Sequence, residues 1–379
     1  MRVVVVSGIW PPDVGGPASH APDVAAFLLS RGHRVEVVTT AACAPRPRPY
    51  PVRWISRSLP KGVIHLRTAV EVARRAAGAD VVYTTGMFGR SAAGSSAARR
   101  PYVVKLTADP AFERARRRSI VGGDVDEFQR LGGGPAVRAL RLARDLELRG
   151  AAHVFTPSAY LRDLAVSWGV RADRVSVLPN PAPALPELPP RQELRRSFEL
   201  DGDTLAFAGR LTAQKSLDVA LAALARVDGV TLLIAGDGDQ RPSLERLATE
   251  LGLAGRVRFL GPQPRERVLE LFRAADAVVL SSSWENFPHA VVEALAGGTP
   301  VLATAIGGVA EVVRDGENGL LVSAGDADAL AGAVRRYFGD ADLRDRLRTA
   351  AAPSVAAYAP ESILGRLEET LLGVAHTSK

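Results

Sequence analysis

Two glutamates with seven residues between them, Glu285 and Glu293, have the most informative spacing in this chain. They lie in the segment SWENFPHAVVEALA, which follows an apolar run at Ala277–Leu280. The run predicts a buried strand, and the segment predicts a turn into a helix with Pro288 in its first turn. Free N–H groups at a helix start bind phosphate, whereas carboxylates accept hydrogen bonds from hydroxyl groups. A ligand that carries both phosphates and hydroxyl groups is therefore expected, which points to a nucleotide-sugar.

Two cations follow another apolar run, Thr204–Ala208. Arg210 lies in Gly209-Arg210-Leu211, and Lys215 comes just before a predicted helix. An arginine can bind a diphosphate with a forked geometry, and a lysine acts as a point charge. Fixed cations would stabilise a leaving diphosphate without a metal. Either residue alone could be a solvated neighbour of the helix; the combination with Glu285 and Glu293 favours the diphosphate.

Gly15 and Gly16 follow the loop Gly8–Val14 after the first predicted strand. Glycines at such a position allow the backbone to approach a phosphate closely. An ordinary flexible loop between a strand and a helix is the equal alternative. His20 begins the next predicted helix, and a single histidine there is more often structural than functional.

Apolar runs alternate with amphipathic segments along both halves of the chain, which predicts parallel sheets covered on both faces. The expected fold class is therefore α/β, with two doubly wound, Rossmann-like domains that face a cleft where ligands bind at the strands' carboxyl ends. The predicted strands of the first half are Arg2–Ser7, Arg34–Thr39, Val81–Thr84, Tyr102–Leu106 and His153–Thr156. Those of the second half are Thr204–Ala208, Thr231–Ala235, Val257–Leu260, Ala277–Leu280, Val301–Ala303 and Gly319–Val322.

Prolines from Pro179 to Pro190 predict a linker between the halves, because proline blocks both helices and central strands. We expect an N-terminal domain over residues 1–180, a linker over 181–200, a nucleotide-sugar domain over 201–352 and a C-terminal segment over 353–379. The run Val121–Gly134, rich in glycine and acidic residues, is expected to be a mobile loop.

The composition is that of a soluble globular protein, with 47% hydrophobic and 23% charged residues among 379. The single cysteine, Cys43, excludes an internal disulfide and fits a reducing compartment. No apolar stretch is long enough to span a membrane. The opening run Met1–Val6 is read as a buried strand rather than a signal peptide, because Gly8 and Trp10 end it early.

The net charge of +7 comes mostly from arginine and is densest at Arg114, Arg116, Arg117 and Arg118. A solvated surface is the simpler explanation, and attraction to an anionic substrate or membrane is the other. Aromatic residues are few and no nucleic-acid-binding motif is present, so a nucleic-acid partner is disfavoured.

Two common motifs carry little weight here. The dinucleotide fingerprint is incomplete, because Gly236-Asp237-Gly238 is followed by arginine at position 241, and this disfavours hydride transfer. Asp-x-Asp, a candidate metal motif, recurs too often in predicted loops to be informative; it occurs at Asp124/Asp126, Asp201/Asp203, Asp237/Asp239, Asp326/Asp328 and Asp340/Asp342.

In these motifs the chain resembles family 4 of the retaining glycosyltransferases, which have the GT-B fold of two Rossmann-like domains. The resemblance runs over nearly the whole chain. Its strongest parts are Gly15-Gly16, Gly209-Arg210 with Lys215, the two glutamates, Gly307–Glu311 and Asp315–Leu320.

The resemblance implies a division of roles around the donor. Glu285 would contact the sugar hydroxyls, with the amides of Asn286 and Phe287 near the sugar and phosphates, and Glu293 would hold the ribose. Arg210, Lys215 and the backbone of Gly16 would bind the diphosphate, and the base would lie near Gly261–Gln263. The last helix, Pro360–Leu372, would cross back to the N-terminal domain.

Many family members have a histidine near the end of an N-terminal strand where this chain reads KLTADP. Asp109 is the candidate for that place, either near the donor sugar as a catalytic residue or as the N-cap of a helix starting at Pro110. These two alternatives are equally supported by the sequence. The resemblance implies no agreed protein nucleophile, and the sequence offers none, so we expect front-face substitution assisted by the leaving diphosphate.

The predicted function is metal-independent transfer of a hexose from a UDP- or GDP-sugar, GDP-mannose included, to a glycan, lipid-linked or small-molecule acceptor. A bacterial cell-envelope polysaccharide pathway is the first expectation and a natural-product pathway the second. A nucleotide-sugar epimerase or hydrolase, and an inactive nucleotide-sugar-binding protein, are the alternatives. The expected location is the cytoplasm, with peripheral contact with the inner face of the plasma membrane. The acceptor loops are predicted at Ala44–Pro51, Gly86–Ser96 and Pro110–Gly134.

Overall fold

The computed structural model describes residues 1–13, 16–182 and 185–377, and the side chains within this range except those of residues 16–19. Gly15, a predicted phosphate contact, lies outside the described residues. The chain divides into two compact units. Unit 1 comprises Met1–Pro179 and Ile363–Lys379, and unit 2 is the continuous segment Asn180–Ser362.

Unit 1 contains a seven-stranded parallel sheet in the order β3-β2-β1-β4-β5-β6-β7. Its faces are covered separately, since Val4 and Val6 pack into one core while Val3 and Val5 pack into another. The strands are β1 Arg2–Ser7, β2 Arg34–Ala41, β3 Val52–Ser56, β4 Val81–Thr84, β5 Tyr102–Lys105, β6 His153–Thr156 and β7 Val175–Val177. The helices are α1 Gly16–Ser30, α2 Lys61–Ala76, α3 Phe88–Ala97, α4 Pro110–Arg117, α5 Val125–Arg130, α6 Pro135–Arg149 and α7 Ala159–Ser167.

Unit 2 has a six-stranded parallel sheet in the order β10-β9-β8-β11-β12-β13. Alternate residues of its strands again enter two cores, Leu205 and Phe207 on one face and Ala206 on the other. The strands are β8 Asp203–Ala208, β9 Val230–Ala235, β10 Val257–Gly261, β11 Ala277–Leu280, β12 Val301–Thr304 and β13 Gly319–Val322. The helices are α8 Arg191–Ser197, α9 Leu217–Leu224, α10 Arg241–Glu250, α11 Arg265–Ala274, α12 His289–Ala296, α13 Val309–Val312, α14 Ala327–Gly339 and α15 Ala341–Ser354.

The last helix, α16 Pro360–Thr377, contributes an apolar face to unit 1. Leu364, Leu367 and Leu371 are buried in the core that contains Val3 and Val5 of β1. On the same helix, the Glu368 carboxylate accepts hydrogen bonds from Arg31 Nε at 3.1 Å and pairs with His33 Nε2 at 2.7 Å. Apolar packing and a polar pair together attach the end of the chain to α1 and the start of β2.

Several sequence-based predictions about elements were wrong. The predicted linker 181–200 contains α8, whose Leu194 is buried in the core of unit 2 with Phe198 and Leu200. The two longer acceptor loops, Gly86–Ser96 and Pro110–Gly134, contain helices: α3 in the first, and α4 and α5 in the second. The "mobile loop" 121–134 therefore includes a short helix, whose Val125 and Phe128 are buried.

β3 was not predicted because it is an edge strand with exposed polar and aromatic residues, VRWIS, rather than a continuous apolar run. Helix α12 begins at His289, so Pro288 is its N-cap rather than a residue of its first turn.

Candidate functional site

The carboxyl ends of β8 and β9 in unit 2 hold two backbone loops in very close contact. Gly236 has φ of +141°, and a Cβ there would lie 1.9 Å from the Gly209 carbonyl oxygen. A Cβ on Gly238 would lie 2.3 Å from the carbonyl oxygen of Leu211, whose N–H donates to the Asp237 carbonyl at 2.9 Å. Only glycine fits at such approaches. The Gly-Asp-Gly sequence is therefore a packing device that fixes the loop carrying Arg210.

A short 3-10 turn, Ala213–Lys215, is fastened to the loop after β11. Ser283 N–H donates to the Gln214 carbonyl at 2.8 Å, and Gln214 Nε2 donates to the Trp284 carbonyl at 2.9 Å. Ser281 Oγ donates to the Lys215 carbonyl at 3.0 Å. These bonds connect residues about 70 positions apart and fix the Lys215 backbone beside the loop that carries Glu285.

The Lys215 ammonium donates to Oε1 of Glu285, which also accepts from Ser282 Oγ at 2.9 Å. The Glu285 side chain is 9% exposed and that of Lys215 is 21% exposed. Within the described residues, Oε2 of Glu285 has no hydrogen-bond donor, and Glu285 is the only acceptor for the Lys215 ammonium. An ion pair in this setting holds both groups in place while leaving each with capacity for a polar ligand.

Gly308 N–H donates to the Glu285 carbonyl at 3.2 Å, so the glycine loop before α13 supports the same residue from its backbone side. Gly307, next to it, has φ of +44°. The Gly307-Gly308 motif thus lies against the backbone of Glu285.

Asn286 and Phe287 follow Glu285 and are both largely buried. Oδ1 of Asn286 is buried and has no hydrogen-bond partner among the described residues. Phe287 packs edge-on against Tyr358, with ring centroids 5.9 Å apart. A buried amide oxygen without a donor is costly unless a ligand or water supplies one.

Glu293 lies within α12, in a different setting from Glu285. Its Oε1 forms an ion pair with Arg265 NH2 at 3.1 Å, and its side chain is 17% exposed. Burial raises the pKa of Glu293 above its usual value, while the Arg265 guanidinium opposes that rise. The two glutamates therefore have separate cationic partners.

Arg210 and Gln263 occupy the ends of β8 and β10. Arg210 is exposed and has no carboxylate partner in the part of the chain that the structure describes. Gln263 Nε2 donates to the Leu260 carbonyl at 2.7 Å, a bond that closes the turn after β10. Arg210 thus remains available to an anion, and Gln263 is partly engaged by its own strand.

The remaining predicted site residues lie in unit 1. Gly16 begins α1, and His20 of that helix pairs through Nε2 with the Tyr83 hydroxyl at 2.8 Å. Burial raises the pKa of the Tyr83 hydroxyl well above its usual range. His20 thus has a structural partner, which agrees with the expectation that this histidine is structural rather than functional.

Asp109 is fully buried, and its two carboxylate oxygens serve four donors. Oδ1 accepts from the N–H groups of Ala111 at 2.8 Å and Phe112 at 3.4 Å, which caps α4. Oδ2 accepts from Gln129 at 2.9 Å and from Arg144 NH1 at 3.0 Å. Of the two alternatives for Asp109, the structure shows the helix cap, and a catalytic role for Asp109 stays a prediction.

Sequence reasoning missed two supporting residues, Ser282 and Gln214, which carry no motif signal. Gly236 and Gly308 stood in motifs that the sequence showed, but their structural roles beside Arg210 and Glu285 were not predicted. The described residues contain no cluster of three or more histidine, cysteine, aspartate or glutamate side chains suited to a metal. Among the described helices, none is long and apolar enough to cross a membrane.

Two family models match the chain. The Glycosyl transferase 4-like domain matches residues 15–181, and the Glycosyl transferases group 1 model matches residues 190–353. The chain belongs to the group 1 glycosyltransferases. The lysine–glutamate pair and the glycine loops therefore lie in the part of this glycosyltransferase that the group 1 model covers.

Curated relatives of the chain include enzymes named for different activities. The lipopolysaccharide core biosynthesis glycosyltransferase LpsE of Rhizobium meliloti (strain 1021) is 42% identical over 147 residues, 39% of this chain and 43% of the relative. The D-inositol 3-phosphate glycosyltransferase of Nocardia farcinica is 40% identical over 210 residues, 52% and 46%. That of Thermomonospora curvata is 32% identical over 288 residues, 70% and 64%. The matches thus span between 43% and 64% of the length of these three relatives.

Solved structures share the fold over nearly the full chain. Anabaena Alr3699/HepE in complex with UDP has a TM-score of 0.78 at 22% identity, covering 98% of this chain and 100% of that one. Sucrose-phosphate synthase from Thermosynechococcus elongatus has a TM-score of 0.79 at 22% identity, covering 98% and 99%. The predicted fold class, two parallel α/β sheets of the GT-B type, is confirmed.

Proposed function

We propose that this glycosyltransferase moves a hexose from a nucleoside diphosphate sugar to an acceptor hydroxyl with retention of configuration at the anomeric carbon. The observation that carries the proposal is the Lys215–Glu285 pair, in which a cation and a half-satisfied carboxylate are fixed side by side. A diphosphate needs the first and a sugar hydroxyl needs the second.

In the proposed reaction the bond between the anomeric carbon and the diphosphate oxygen breaks, and the acceptor oxygen bonds to that carbon on the same face. The acceptor proton passes to the departing diphosphate. Lys215 and Arg210 stabilise the charge that develops on the diphosphate, so the protein's own cations supply what a metal would otherwise give. No protein nucleophile is required.

Oε2 of Glu285 accepts a hydrogen bond from a sugar hydroxyl. The backbone amides of Asn286 and Phe287 lie near the sugar and phosphates. The unpartnered Oδ1 of Asn286 supports a polar ligand here, because a donor from the ligand would relieve its burial. That Gly15 and Gly16 of unit 1 contact the phosphates stays a prediction from the sequence.

Glu293 accepts hydrogen bonds from the ribose hydroxyls. Its ion-pair partner, the Arg265 guanidinium, is 60% exposed, and exposed ion pairs contribute about 1 kcal/mol or less to stability. Ribose hydroxyls can therefore compete for this carboxylate. The base lies against the turn after β10, near Gln263.

For the donor, we propose a UDP-sugar ahead of a GDP-sugar, because the related fold of Alr3699/HepE was solved with UDP and with UDP-glucose. For the acceptor, we propose a phosphorylated or lipid-linked molecule bound by unit 1. The relatives named D-inositol 3-phosphate glycosyltransferase and lipopolysaccharide core biosynthesis glycosyltransferase support that class. A cytoplasmic location with peripheral membrane contact follows from such an acceptor.

A thermal-shift screen with nucleoside diphosphates and their sugars, followed by a transfer assay, tests the proposal. A nucleotide present at about 100 times its dissociation constant should stabilise the protein by about 2.7 kcal/mol. Donor turnover that does not require an acceptor would favour the epimerase or hydrolase alternative. Binding without any turnover would favour the inactive binding protein.

Glu285→Gln should reduce transfer by about 100-fold or more, because the carboxylate contacts the sugar and holds Lys215. Stabilisation by the free nucleoside diphosphate should largely remain, since Glu285 contacts the sugar rather than the nucleotide. Glu250→Gln, an exposed glutamate at the end of α10, is the matched control and should leave both readouts unchanged. Full activity of Glu285→Gln would contradict the assigned role.

A further inference from the structure

Three helices of unit 1 begin at the carboxyl edge of its sheet, and each contributes a basic side chain to one cluster. Helix α2 follows β3, α3 follows β4 and α4 follows β5, so all three start at the edge where ligands of parallel sheets bind. His65 is the fifth residue of α2, Arg90 the third of α3 and Arg114 the fifth of α4. None of these three residues has been used in the donor site of unit 2.

The half-buried Arg90 guanidinium has no carboxylate partner in the part of the chain that the structure describes. Its Nε donates to Nδ1 of His65 at 3.0 Å, and its Nη1 lies 3.0 Å from the Met87 sulfur, a weak acceptor. Burial lowers the pKa of Arg90, and the like charge of Arg114 adds to that effect. The positive end of α3 also disfavours a cation in its first turn. Arg90 is thus a cation held by neutral acceptors in a place that disfavours its charge.

A carboxylate beside this cluster is engaged by a different cation. Both oxygens of Glu147, on α6, accept from Nη2 of Arg114, at 3.0 and 2.8 Å. An added Cβ on Gly89 would lie 2.7 Å from Oε1 of Glu147, so this carboxylate lies directly beside the start of α3. Glu147 therefore neutralises Arg114 and leaves the charge of Arg90 without a matching anion.

The His65 ring is neutral in this arrangement. Because Nδ1 accepts from Arg90, the ring proton is on Nε2. Burial lowers the pKa of His65, and the charges of Arg90 and Arg114 lower it further. The charged groups around the ring are Arg90 of α3, Arg114 of α4 with its partner Glu147 of α6, and Lys61 one turn earlier on α2. Protonation of Nδ1 would end the bond from Arg90 and make both side chains donors for one anion.

We propose that Arg90 and His65 bind a phosphate monoester carried by the acceptor, and so select a phosphorylated acceptor over a neutral one. A guanidinium and an imidazolium both donate charge-assisted hydrogen bonds to phosphate oxygens. The phosphate supplies the negative charge that Arg90 lacks, replaces the Met87 sulfur as an acceptor and favours the protonated form of His65. The identity of the ligand as the acceptor rests on the proposed function, whereas the anion site rests on the contacts within unit 1 alone.

Histidine-ring NMR of the full chain, titrated with inorganic phosphate, tests the site directly. The chain has six histidines, and His65→Asn identifies the signal of His65 by its loss. Phosphate should move that signal toward the protonated form, whereas inositol and acetate at the same ionic strength should not. A His65 signal that ignores phosphate, or that responds equally to acetate, would overturn the proposal.

Arg90→Gln should weaken phosphate binding at the His65 signal about tenfold, because the charge-assisted bonds of the guanidinium are lost. Arg100→Gln is the matched control. Arg100 is another half-buried arginine of unit 1, but it follows the other end of α3, at the opposite edge of the sheet, and its replacement should leave binding unchanged. Equal losses in both variants would show a general charge effect and no site at Arg90.

Sulfate separates proton uptake by His65 from the titration of phosphate itself, because sulfate remains a dianion across the range used. Calorimetry in excess UDP, which occupies the donor site, should show tighter sulfate binding as the pH falls below about 6.5. The sign follows from linkage, since a bound anion raises the pKa of His65 and binding then takes up a proton. His65→Asn should bind sulfate without this pH dependence, and a dependence that persists in His65→Asn would refute the role of the histidine.

Two phosphate monoesters identify the source of the phosphate. D-inositol 3-phosphate that binds more tightly at the His65 signal than dihexanoyl phosphatidic acid supports a soluble acceptor, and the reverse order supports a lipid-linked one. Phosphate binding at His65 in a chain that transfers no sugar would uphold the site and contradict the proposed function. Transfer to a phosphorylated acceptor with a KM that Arg90→Gln leaves unchanged would overturn this inference and leave the proposed function intact.

Discussion

The buried Lys105 side chain is expected to make the stability of this protein depend on pH. Lys105 ends β5 and is fully buried, and its Nζ donates to the Leu178 carbonyl. Burial, together with the Arg366 guanidinium, lowers the pKa of the Lys105 ammonium from 10.5 to about 7. The folded chain therefore releases this proton at a pH where the unfolded chain still holds it.

The free energy of unfolding should consequently rise with pH between about 7 and 10.5, because the unfolded state binds more protons in that window. The contribution of Lys105 over this window is up to about 5 kcal/mol. Lys105→Met should remove this rise and be more stable than the natural chain near pH 7. Urea denaturation of both proteins across this pH range provides the measurement, and parallel curves would show that Lys105 does not titrate in the window.

Contacts between site residues were predictable from the sequence where each residue directly follows a predicted strand. Lys215 and Glu285 each follow an apolar strand, and parallel strands end at one edge of a sheet, so their meeting could be expected. The pairing of Glu293 with Arg265 could not be expected, since it depends on how α11 packs beside α12. Likewise, Asp109 and Arg144 lie 35 residues apart on separate elements.

At the scale of elements, the α4 N-cap combines a local and a distant interaction. Asp109 caps α4 and pairs with Arg144, which is 3% exposed and also stacks on Trp168 at 4.0 Å. Asp109→Ala should cost about 3–5 kcal/mol, because the buried guanidinium loses its carboxylate partner.

Asp109→Asn separates the structural role from the catalytic alternative that the sequence left open. The amide oxygen can still cap α4, so this variant should lose less stability than Asp109→Ala and keep transfer activity once folded. Chemical denaturation and a transfer assay on the same sample measure both effects. A variant as stable as the natural chain but without turnover would restore Asp109 to the reaction.

The glycine contact between the loops after β8 and β9 leads to another prediction. Gly236→Ala forces a Cβ into the Gly209 carbonyl, so both loops must move and Arg210 with them. We expect a loss of more than about 2 kcal/mol and weaker nucleotide binding by thermal shift.

Gly229→Ala is the control, since Gly229 also has a positive φ, +73°, but nothing lies within 4 Å of its added Cβ. It should lose about 1 kcal/mol from backbone strain alone and bind nucleotide normally. Equal losses of binding in both variants would mean that the close contact does not position Arg210.

The edge strand and the short helices of unit 1 were the elements that the sequence predicted least well. α3, α4 and α5 lie in a region that reads as loops because its glycines, arginines and prolines hide short amphipathic runs. α4 in particular is eight residues long, with Ala111, Phe112 and Ala115 as its buried residues. Central strands such as β1 were predictable because burial on both faces demands continuous apolar sequence.

At the scale of the whole molecule, unit 1 depends on the last helix of the chain. Leu367 of α16 is fully buried in the core with β1. Leu367→Ala should cost about 2–5 kcal/mol through the cavity it leaves, while Leu142→Ala, at an exposed site, should cost little. Thermal unfolding measures both, and an unchanged transition for Leu367→Ala would mean that α16 does not support the unit 1 core.

The division into a continuous unit 2 and a discontinuous unit 1 has a consequence for synthesis on the ribosome. All of unit 2 has been translated once residue 362 is added, so its sheet can close while the chain is still growing. The sheet of unit 1 is made first, yet its core lacks Leu364, Leu367 and Leu371 until α16 has been translated. The core of unit 1 therefore stays incomplete until α16 is made. Its exposed apolar face can be recognised by chaperones in the meantime.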